Sequence, residues 1–397
     1  MAKIYEKLLK KIAHFQVENP YLTVIIILVL TTMILGGVSQ VKTVASLEKM
    51  MPKDVEEIRA FNILRDNNLG QDMIAIVIQT NRDSSDPYPI LDIKDKKVYE
   101  YTNELTKVIQ EEPDVIETYS YAKILDFYSQ NSVNDDNYYS LIEDEQIKSQ
   151  LENFINDDST ISIILVTTDI SADDSRMNLL SSKIKLLISD IPPPRGTEIK
   201  LTGTPIIQQK LGELINADRT NTQWISILFV FLITVTIFRS VSSALVPIIV
   251  VYTSINWLYG TMGYANLPIS TLAGGVAAMV IGIGIDFSIH IINKFKYERK
   301  KGNSIKNSIE LAITHTGKIL TITSLTTISA FLAFLIGVMP EMGKFGILMA
   351  IGIAYSLIFS IFGLPALLIL EEKFIYYLKS KFKFGIDKEF HLEEENK

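Results

Sequence analysis

The sequence predicts a polytopic α-helical membrane protein with six transmembrane helices and an α+β domain inserted after the first helix. The chain has 397 residues, of which 48% are hydrophobic and 21% are charged. It is therefore too apolar for an ordinary soluble domain and too charged for a chain that lies wholly in lipid. Long apolar runs are separated by a polar region of alternating strand and helix patterns, which places the two kinds of residue in different parts of the chain.

Six apolar stretches are long enough, or nearly so, to cross a hydrocarbon core, which needs about 20 residues in a helix. They lie at 21–38, 223–238, 243–260, 269–292, 319–338 and 345–370. The first run is longer than the apolar part of a signal peptide and no A-x-A-like site follows it, so we expect a retained anchor. The predicted segments are an N-terminal segment (1–20), the first span (21–38), an extracytoplasmic domain (39–221), a five-helix membrane region (222–370) and a C-terminal tail (371–397).

Basic residues predict the orientation of these spans, because Lys and Arg are enriched in cytoplasmic loops. Clusters of them precede the first span and follow the fourth and sixth spans, whereas the opposite short loops contain only Lys344. We therefore expect a multi-pass protein of the plasma membrane with both termini in the cytoplasm and the 39–221 domain outside.

The outer domain shows four strand patterns, at 72–80, 114–122, 160–170 and 197–203. Helical patterns near 54–67, 95–111, 173–190 and 205–218 alternate with them, which predicts an α+β sandwich with split βαβ units of ferredoxin type. The acidic, Tyr-rich stretch at 129–156 is interpreted as an inserted helical or partly disordered excursion with a solvated surface, and a substrate gate containing Tyr138 and Tyr139 is the alternative.

The residue inventory argues against several classes of function. The chain has no cysteine and no histidine between 39 and 221, which excludes thiol chemistry, Cys-ligated metals and a Ser-His-Asp site in the outer domain. It also lacks a P-loop motif and a basic stripe for nucleic acid. We expect no enzyme activity, no cofactor, no metal and no nucleic-acid partner.

The fourth span contains small residues at every fourth position, which form one face of a helix. Small residues at this spacing let a neighbouring backbone approach closely, so we expect this face to contact protein. The predicted helix-packing stripe consists of Gly274, Ala278 and Gly282, and it continues into Asp286 and His290.

Asp286 is the main candidate for a functional residue. A bare carboxylate in the membrane costs at least a few kcal/mol, so we expect it to be protonated or paired, and such acids often relay protons. His290 lies one turn further on and is predicted to share this role or to reach interfacial water. On the fifth span, Thr323 and Thr327 lie on one face of the predicted helix. We expect their hydroxyl groups either to hold a chain of water molecules or to donate hydrogen bonds to carbonyls of their own helix.

The segment GIGIDFSIHIINKFKYER (282–299) resembles the fourth-helix signature G-x-G-x-D-[YF]-x-[IL]-[HF] of the resistance-nodulation-division (RND) superfamily. The resemblance is to the branch of the MMPL lipid exporters and the hydrophobe/amphiphile efflux-3 (HAE3) proteins. Weaker similarities are KMMPKD (49–54), LTGTPII (201–207) and IFRSVSSALVPIIVV (237–251). The order of one helix, a large outer domain and five helices is that of one RND repeat.

The resemblance implies a porter domain on a six-helix bundle, in which proton flow drives the export of lipophilic molecules. Asp286 matches the relay acid of the family, while Phe287 stands where many relatives have Tyr, so His290 or the threonines are the expected substitutes. Because relatives commonly contain two repeats and this sequence has one, we expect a C2 homodimer with the packing stripe near its axis. A trimer is the alternative.

These observations together predict a proton-coupled exporter of hydrophobic or amphiphilic molecules, with membrane lipids as substrate. The same carboxyl and hydroxyl groups suit Na⁺ as the coupling ion, and the sequence identifies no adaptor. Two alternatives remain: a SecD/SecF-like accessory component of protein translocation, and a lipid-binding protein of the sterol-sensing kind that does not pump. Co-purification with a translocon would favour the first, and lipid movement independent of a proton gradient the second.

Overall fold

The computed structural model describes residues 2–45, 51–52, 55–66, 73–81, 87–130, 133–134, 136–170 and 174–381. Part of the KMMPKD segment and the end of the predicted C-terminal tail lie outside these residues. The chain divides into two compact units. The membrane unit comprises Met1–Val44 and Leu214–Lys397, and the sheet unit comprises Ala45–Glu213.

The described helices are named in chain order. They are α1 (Ala2–Glu18), α2 (Pro20–Leu35), α3 (Glu56–Asp66), α4 (Lys96–Gln110), α5 (Tyr121–Tyr128), α6 (Tyr138–Glu143), α7 (Glu145–Leu151), α8 (Ser175–Asp190), α9 (Thr204–Phe238), α10 (Val241–Tyr264), α11 (Val276–Lys300), α12 (Ile305–Leu311), α13 (Gly317–Leu332), α14 (Pro340–Phe362) and α15 (Leu364–Lys381). A π-helical turn (Ala312–Thr316) joins α12 to α13.

The described part of the sheet unit contains four strands, each within two residues of its predicted bounds. They are β1 (Met73–Thr80), β2 (Val115–Ser120), β3 (Ile161–Thr168) and β4 (Thr197–Gly203). The strand order is β2-β3-β1-β4 and every neighbouring pair is antiparallel. In β1 every second residue is buried, because alternate side chains point to the core face. The predicted strand pattern is confirmed.

The helices of the sheet unit form where apolar residues recur at helical spacing. In α4, Val98, Leu105 and Ile109 are fully buried against the sheet core. The carboxylate of Asp95 caps this helix by accepting a hydrogen bond of 2.8 Å from the backbone N–H of Lys97.

At 129–156 the predicted helical character is confirmed, whereas the prediction of a wholly solvated surface is wrong. This stretch contains α6 and α7, and Tyr138 at the start of α6 is fully buried in the core of the sheet unit. Its hydroxyl donates a 2.9 Å hydrogen bond to the carbonyl of Lys94, and its ring lies 5.2 Å from that of Tyr99. Tyr139 is 59% exposed. Tyr138 is thus a core residue. A few apolar side chains at helical spacing are enough to pack this polar segment against the core of the sheet unit.

The described residues contain six candidate membrane-spanning helices, as predicted. They are Pro20–Gln40, Thr204–Phe238, Val241–Tyr264, Ala273–Lys300, Ile305–Ile336 and Pro340–Phe362. The second is one continuous helix of 35 residues, whereas the sequence patterns at 205–218 and 223–238 predicted two separate segments. No proline or glycine lies between these two patterns to interrupt the backbone hydrogen bonds.

The predicted boundaries of the fourth and sixth spans also differ from the structure, each for an identifiable reason. The fourth helix begins after residue 269, because Ile269 is extended there and exchanges 2.8 Å backbone hydrogen bonds with Lys42 and Val44. The sixth helix ends at Phe362, and α15 begins at Leu364. Pro365 explains this break, since proline has no N–H to continue the helical hydrogen bonds of α14.

Glycines allow close approach between two helices of the membrane unit. A Cβ atom at Gly260 on α10 would collide with the backbone oxygen of Ile34 on α2, and one at Gly263 would collide with that of Gly37. α2 therefore crosses α10 at backbone contact distance, the close packing that small residues permit in membranes.

Candidate functional site

One face of α11 is held by a seam of small residues on α14. The hydroxyl oxygens of Ser288 and Ser360 lie 3.1 Å apart and both side chains are fully buried. One turn earlier, a Cβ atom at Gly284 would lie only 2.6 Å from the Oγ atom of Ser356. This seam fixes the position of α11 within the chain.

The uncovered face of α11 carries Ala278 and Gly282 of the predicted packing stripe, and Gly274 lies in the 3-10 turn just before this helix. Within the described chain, apart from its own helix, no heavy atom comes within 4 Å of a Cβ atom built at Gly282, and the one neighbour of such an atom at Gly274 is Ile215, at 3.7 Å. Ala278 is partly exposed. The stripe is therefore open to lipid or to another chain, and its predicted role in packing stays a prediction.

Asp286 and His290 lie on this uncovered face and contact each other. The Nε2 atom of His290 is 3.4 Å from the Oδ1 atom of Asp286, and the side chains are 57% and 64% exposed, respectively. Their spacing of four residues places them one turn apart on the same face, which is what brings them together. A carboxyl and an imidazole at this distance form a pair that can take up, share and release a proton.

The two threonines predicted for the relay bond to their own helix. The hydroxyl of Thr323 donates to the carbonyls of Ile319 and Leu320 at 3.2 and 3.0 Å, and that of Thr327 donates to the carbonyl of Thr323 at 2.9 Å. In the part of the chain that the structure describes, neither forms a hydrogen bond with Asp286. The structure thus brings Asp286 and His290 together, while the threonines satisfy backbone carbonyls of α13.

The seam on α14 was not singled out by the sequence reasoning. Its signal was present as G-x-x-x-S at 284–288 and G-x-x-x-S-x-x-x-S at 352–360. Both patterns have the same four-residue spacing as the stripe at Gly274, Ala278 and Gly282. Since α11 carries small residues on two faces, spacing alone does not tell which face packs within the chain.

Comparison with known proteins places the chain in a family. The profile of the MMPL family matches residues 49–382. The chain belongs to the MMPL family. The resemblance seen in the fourth span is thereby confirmed, and it extends over most of the chain of this MMPL-family protein.

Relatives of this MMPL-family protein include two named transporters. Over 380 residues the chain is 29% identical to a Methanocaldococcus jannaschii protein named only as a membrane protein, covering 95% of this chain and 97% of that one. It is 27% identical over 179 residues to the hopanoid transporter HpnN of Rhodopseudomonas palustris, covering 44% of this chain and 20% of that one. It is 23% identical over 180 residues to the trehalose monomycolate exporter MmpL3 of Mycolicibacterium smegmatis, covering 41% and 18%, respectively. The matched region is thus nearly the whole of the first relative and about a fifth of each transporter.

A charged cluster joins the end of α11 to neighbouring segments in this MMPL-family chain. The carboxylate of Glu298, 6% exposed, accepts hydrogen bonds of 2.7 Å from Lys294 and 3.0 Å from Asn303. Arg299 donates to Glu372 on α15 at 3.2 Å. Burial raises the pKa of Glu372, and the nearby Arg299 guanidinium opposes this by favouring the ionised form. The cluster fixes the end of the helix that carries Asp286.

The described residues contain no group of three or more acidic or histidine side chains arranged to hold a metal ion. Asp286 and His290 supply one carboxyl and one imidazole group.

Proposed function

We propose that this MMPL-family protein is an RND-type transporter that exports lipophilic molecules, with lipids as the substrate class and proton flow as the energy source. The observation that carries the proposal is the Asp286–His290 pair on the uncovered face of a candidate membrane-spanning helix. Family membership supports transport, and the names of two relatives, a hopanoid transporter and a trehalose monomycolate exporter, support the substrate class.

In the proposed mechanism the carboxyl of Asp286 takes up a proton from one side of the membrane and releases it to the other. His290, one turn away, accepts or returns that proton. A charged carboxylate in apolar surroundings costs at least a few kcal/mol, so protonation changes which positions of α11 are favourable. A proton that moves down a potential of 100 mV releases about 2.3 kcal/mol. This is enough to drive a helix between two conformations whose free energies differ by about the same amount. The seam between α11 and α14 would transmit the change to α14.

We propose further that the sheet unit is a ferredoxin-like porter domain outside the cell. Two observations support this: the order βαββαβ formed by β1, α4, β2, β3, α8 and β4, and the antiparallel strand order β2-β3-β1-β4. The distribution of basic residues supports cytoplasmic termini and a place in the plasma membrane.

A second copy of the chain is the proposed cover for the stripe on α11. Asp286 is 64% exposed in one copy, and a polar group in the membrane normally faces protein or a water-filled cavity. A C2 dimer would place two such faces against each other around one axis. A trimer would instead bring the same face against a different surface of the next copy.

The test is lipid movement in proteoliposomes that contain a fluorescent phospholipid. Wild-type protein is expected to move the lipid when a proton gradient is imposed, and Asp286→Asn is expected to abolish that movement. Asp190→Asn removes an exposed acid from the sheet unit and serves as the matched control, with activity expected to remain. A Na⁺ gradient applied alone identifies the coupling ion. Transport that persists in Asp286→Asn would overturn the proposal.

A further inference from the structure

Arg219 lies in a candidate membrane-spanning helix and has no carboxylate partner among the described residues. It lies on α9, one turn before the apolar stretch that begins at residue 223. Its side chain is partly buried, and its Nε atom is fully buried without a hydrogen-bond partner. Among the residues that the structure describes, no carboxylate lies within 4 Å of the guanidinium. The arginine side chain is a permanent cation, so an anion that binds beside it would be stabilised by its charge.

The guanidinium is held in place by an aromatic ring. The Cζ atom of Arg219 lies 4.9 Å from the ring centroid of Tyr259 on α10, a cation–π contact, and Tyr259 is only 8% exposed. The ring thereby holds the planar guanidinium beside α10. A guanidinium carries N–H donors that match a phosphate or carboxylate, which it can bind through two parallel hydrogen bonds.

The surroundings of Arg219 indicate the depth of a membrane surface. Trp224 and Tyr252 lie one to two turns away, on α9 and α10 respectively, with ring centroids 6.2 Å apart and exposed fractions of 57% and 41%. Exposed Trp and Tyr are enriched where the membrane meets water. Beyond Trp224, one side of α9 carries large apolar residues that are more than half exposed, as expected of a side that faces lipid; they include Leu228, Phe229 and Ile233. An anion bound at Arg219 would thus sit at head-group depth with apolar surface below it.

We propose that Arg219, supported by Tyr259, binds the anionic head group of an amphiphile, a phosphate or carboxylate, whose apolar chain lies along α9. The assignment of this amphiphile as transported substrate rests on the proposed function. The cation at Arg219 and the exposed apolar residues of α9 together match one kind of ligand, an anion joined to an apolar chain.

The experiment uses the full-length protein in detergent and a soluble short-chain phosphatidic acid with brominated acyl chains. Binding is followed through quenching of the two tryptophans, of which Trp224 lies five residues from Arg219 and Trp257 two residues from Tyr259. Wild-type protein is expected to show saturable quenching. Arg219→Gln is expected to bind about tenfold to a hundredfold more weakly, the loss of a hydrogen bond to a charged group.

Three further variants separate binding from folding. Arg219→Lys keeps the charge but loses the planar fork, so an intermediate loss is expected together with unchanged thermal unfolding. Tyr259→Leu removes the ring and is expected to weaken binding about three- to tenfold. Arg239→Gln removes the same charge from the other end of α9 and is expected to bind like wild type.

Two outcomes would overturn the inference: Arg219→Gln binding as tightly as wild type, or inorganic phosphate displacing the probe at the probe's own concentration, which would mark a free-phosphate site. Asp286→Asn is expected to bind the probe normally, because binding in detergent needs no gradient. Normal binding by Arg219→Gln combined with lost transport in Asp286→Asn would therefore refute the head-group site alone. Gradient-independent lipid movement would refute the proposed function alone.

Discussion

A Cβ atom built on Gly284 of α11 would lie 2.6 Å from the Oγ atom and 2.9 Å from the Cβ atom of Ser356 on α14. Gly282, two residues earlier in the same motif, has no such neighbour in the described chain outside its own helix. The two glycines therefore differ in role. Gly284 allows α14 to pack against α11, and Gly282 belongs to the open face that carries Asp286.

Gly284→Ala is expected to lower the free energy of unfolding by about 1–3 kcal/mol, the usual cost of overpacking. Rotation of the Ser356 hydroxyl does not relieve the collision, since the Cβ atom of Ser356 is also too close. Gly282→Ala is the control and is expected to be neutral or stabilising by up to about 1 kcal/mol, the helix propensity of alanine over glycine. Thermal unfolding of both variants in detergent measures the difference. A greater loss in Gly282→Ala would contradict the assignment of the two faces.

The proposed dimer predicts cross-linking through the open face. The chain contains no cysteine, so Gly282→Cys introduces a single thiol. Oxidation in native membranes is expected to yield a covalent dimer, because the two copies of residue 282 lie near the axis. Leu228→Cys on the exposed face of α9 is the control and is expected to stay monomeric. Failure of Gly282→Cys to form dimer under any oxidant, or a trimeric mass of the native assembly, would count against the C2 arrangement.

The charged cluster at the end of α11 predicts that replacing Glu298 by alanine destabilises the protein more than replacing Glu310 does. Glu298→Ala removes the 2.7 Å partner of Lys294 and is expected to lower the free energy of unfolding by more than the loss of an exposed ion pair does, because the Glu298 side chain is only 6% exposed. Glu310→Ala breaks an exposed ion pair with Lys10 at 3.7 Å and is expected to cost less than about 1 kcal/mol. Denaturant titration of both variants tests this order, and equal losses would show that the cluster does not stabilise α11.

The sheet unit is expected to lose stability at alkaline pH. Burial raises the pKa of Tyr101 to about 12, and burial raises the pKa values of Tyr99, Tyr121 and Tyr138 further. The folded state thus favours the neutral phenol. Stability is fully present below about pH 10, where tyrosine in the unfolded chain titrates, and is lost as the pH rises through the folded pKa values.

This loss is measured by following tyrosinate absorbance and circular dichroism together during an alkaline titration. Tyr138→Phe removes one buried phenol, so its stability is expected to fall less steeply with pH, although it loses about 1 kcal/mol at neutral pH with the hydrogen bond to Lys94. Full ionisation of every tyrosine before any change in circular dichroism would contradict the burial of these phenols.

The sequence was a good guide to the elements of the sheet unit, because alternating burial in β1 and helical spacing in α4 are local patterns. It was a poor guide to the segment around Tyr138. There the apolar positions are too few for a periodic signal, and docking depends on the core residues that Tyr138 meets in the folded unit.

For the candidate site, the sequence was sufficient to bring Asp286 and His290 together, since four-residue spacing in a helix determines their contact. It was not sufficient to choose between the faces of Gly282 and Gly284, because both faces of α11 are apolar and both carry small residues. That choice depends on where α14 lies, which is a tertiary property. The cation–π contact between Arg219 and Tyr259 likewise joins two helices that no local pattern connects.

The most direct test of the central claim is the pH dependence of carbodiimide labelling at Asp286 in liposomes, read by peptide mass spectrometry with Asp286→Asn as the blank. Carbodiimides react with protonated carboxyl groups. If Asp286 gains and loses a proton during transport, labelling is expected at neutral pH and is expected to disappear as the pH is raised. A site that stays unreactive at every pH would mean that this carboxyl does not exchange protons, and it would contradict the account.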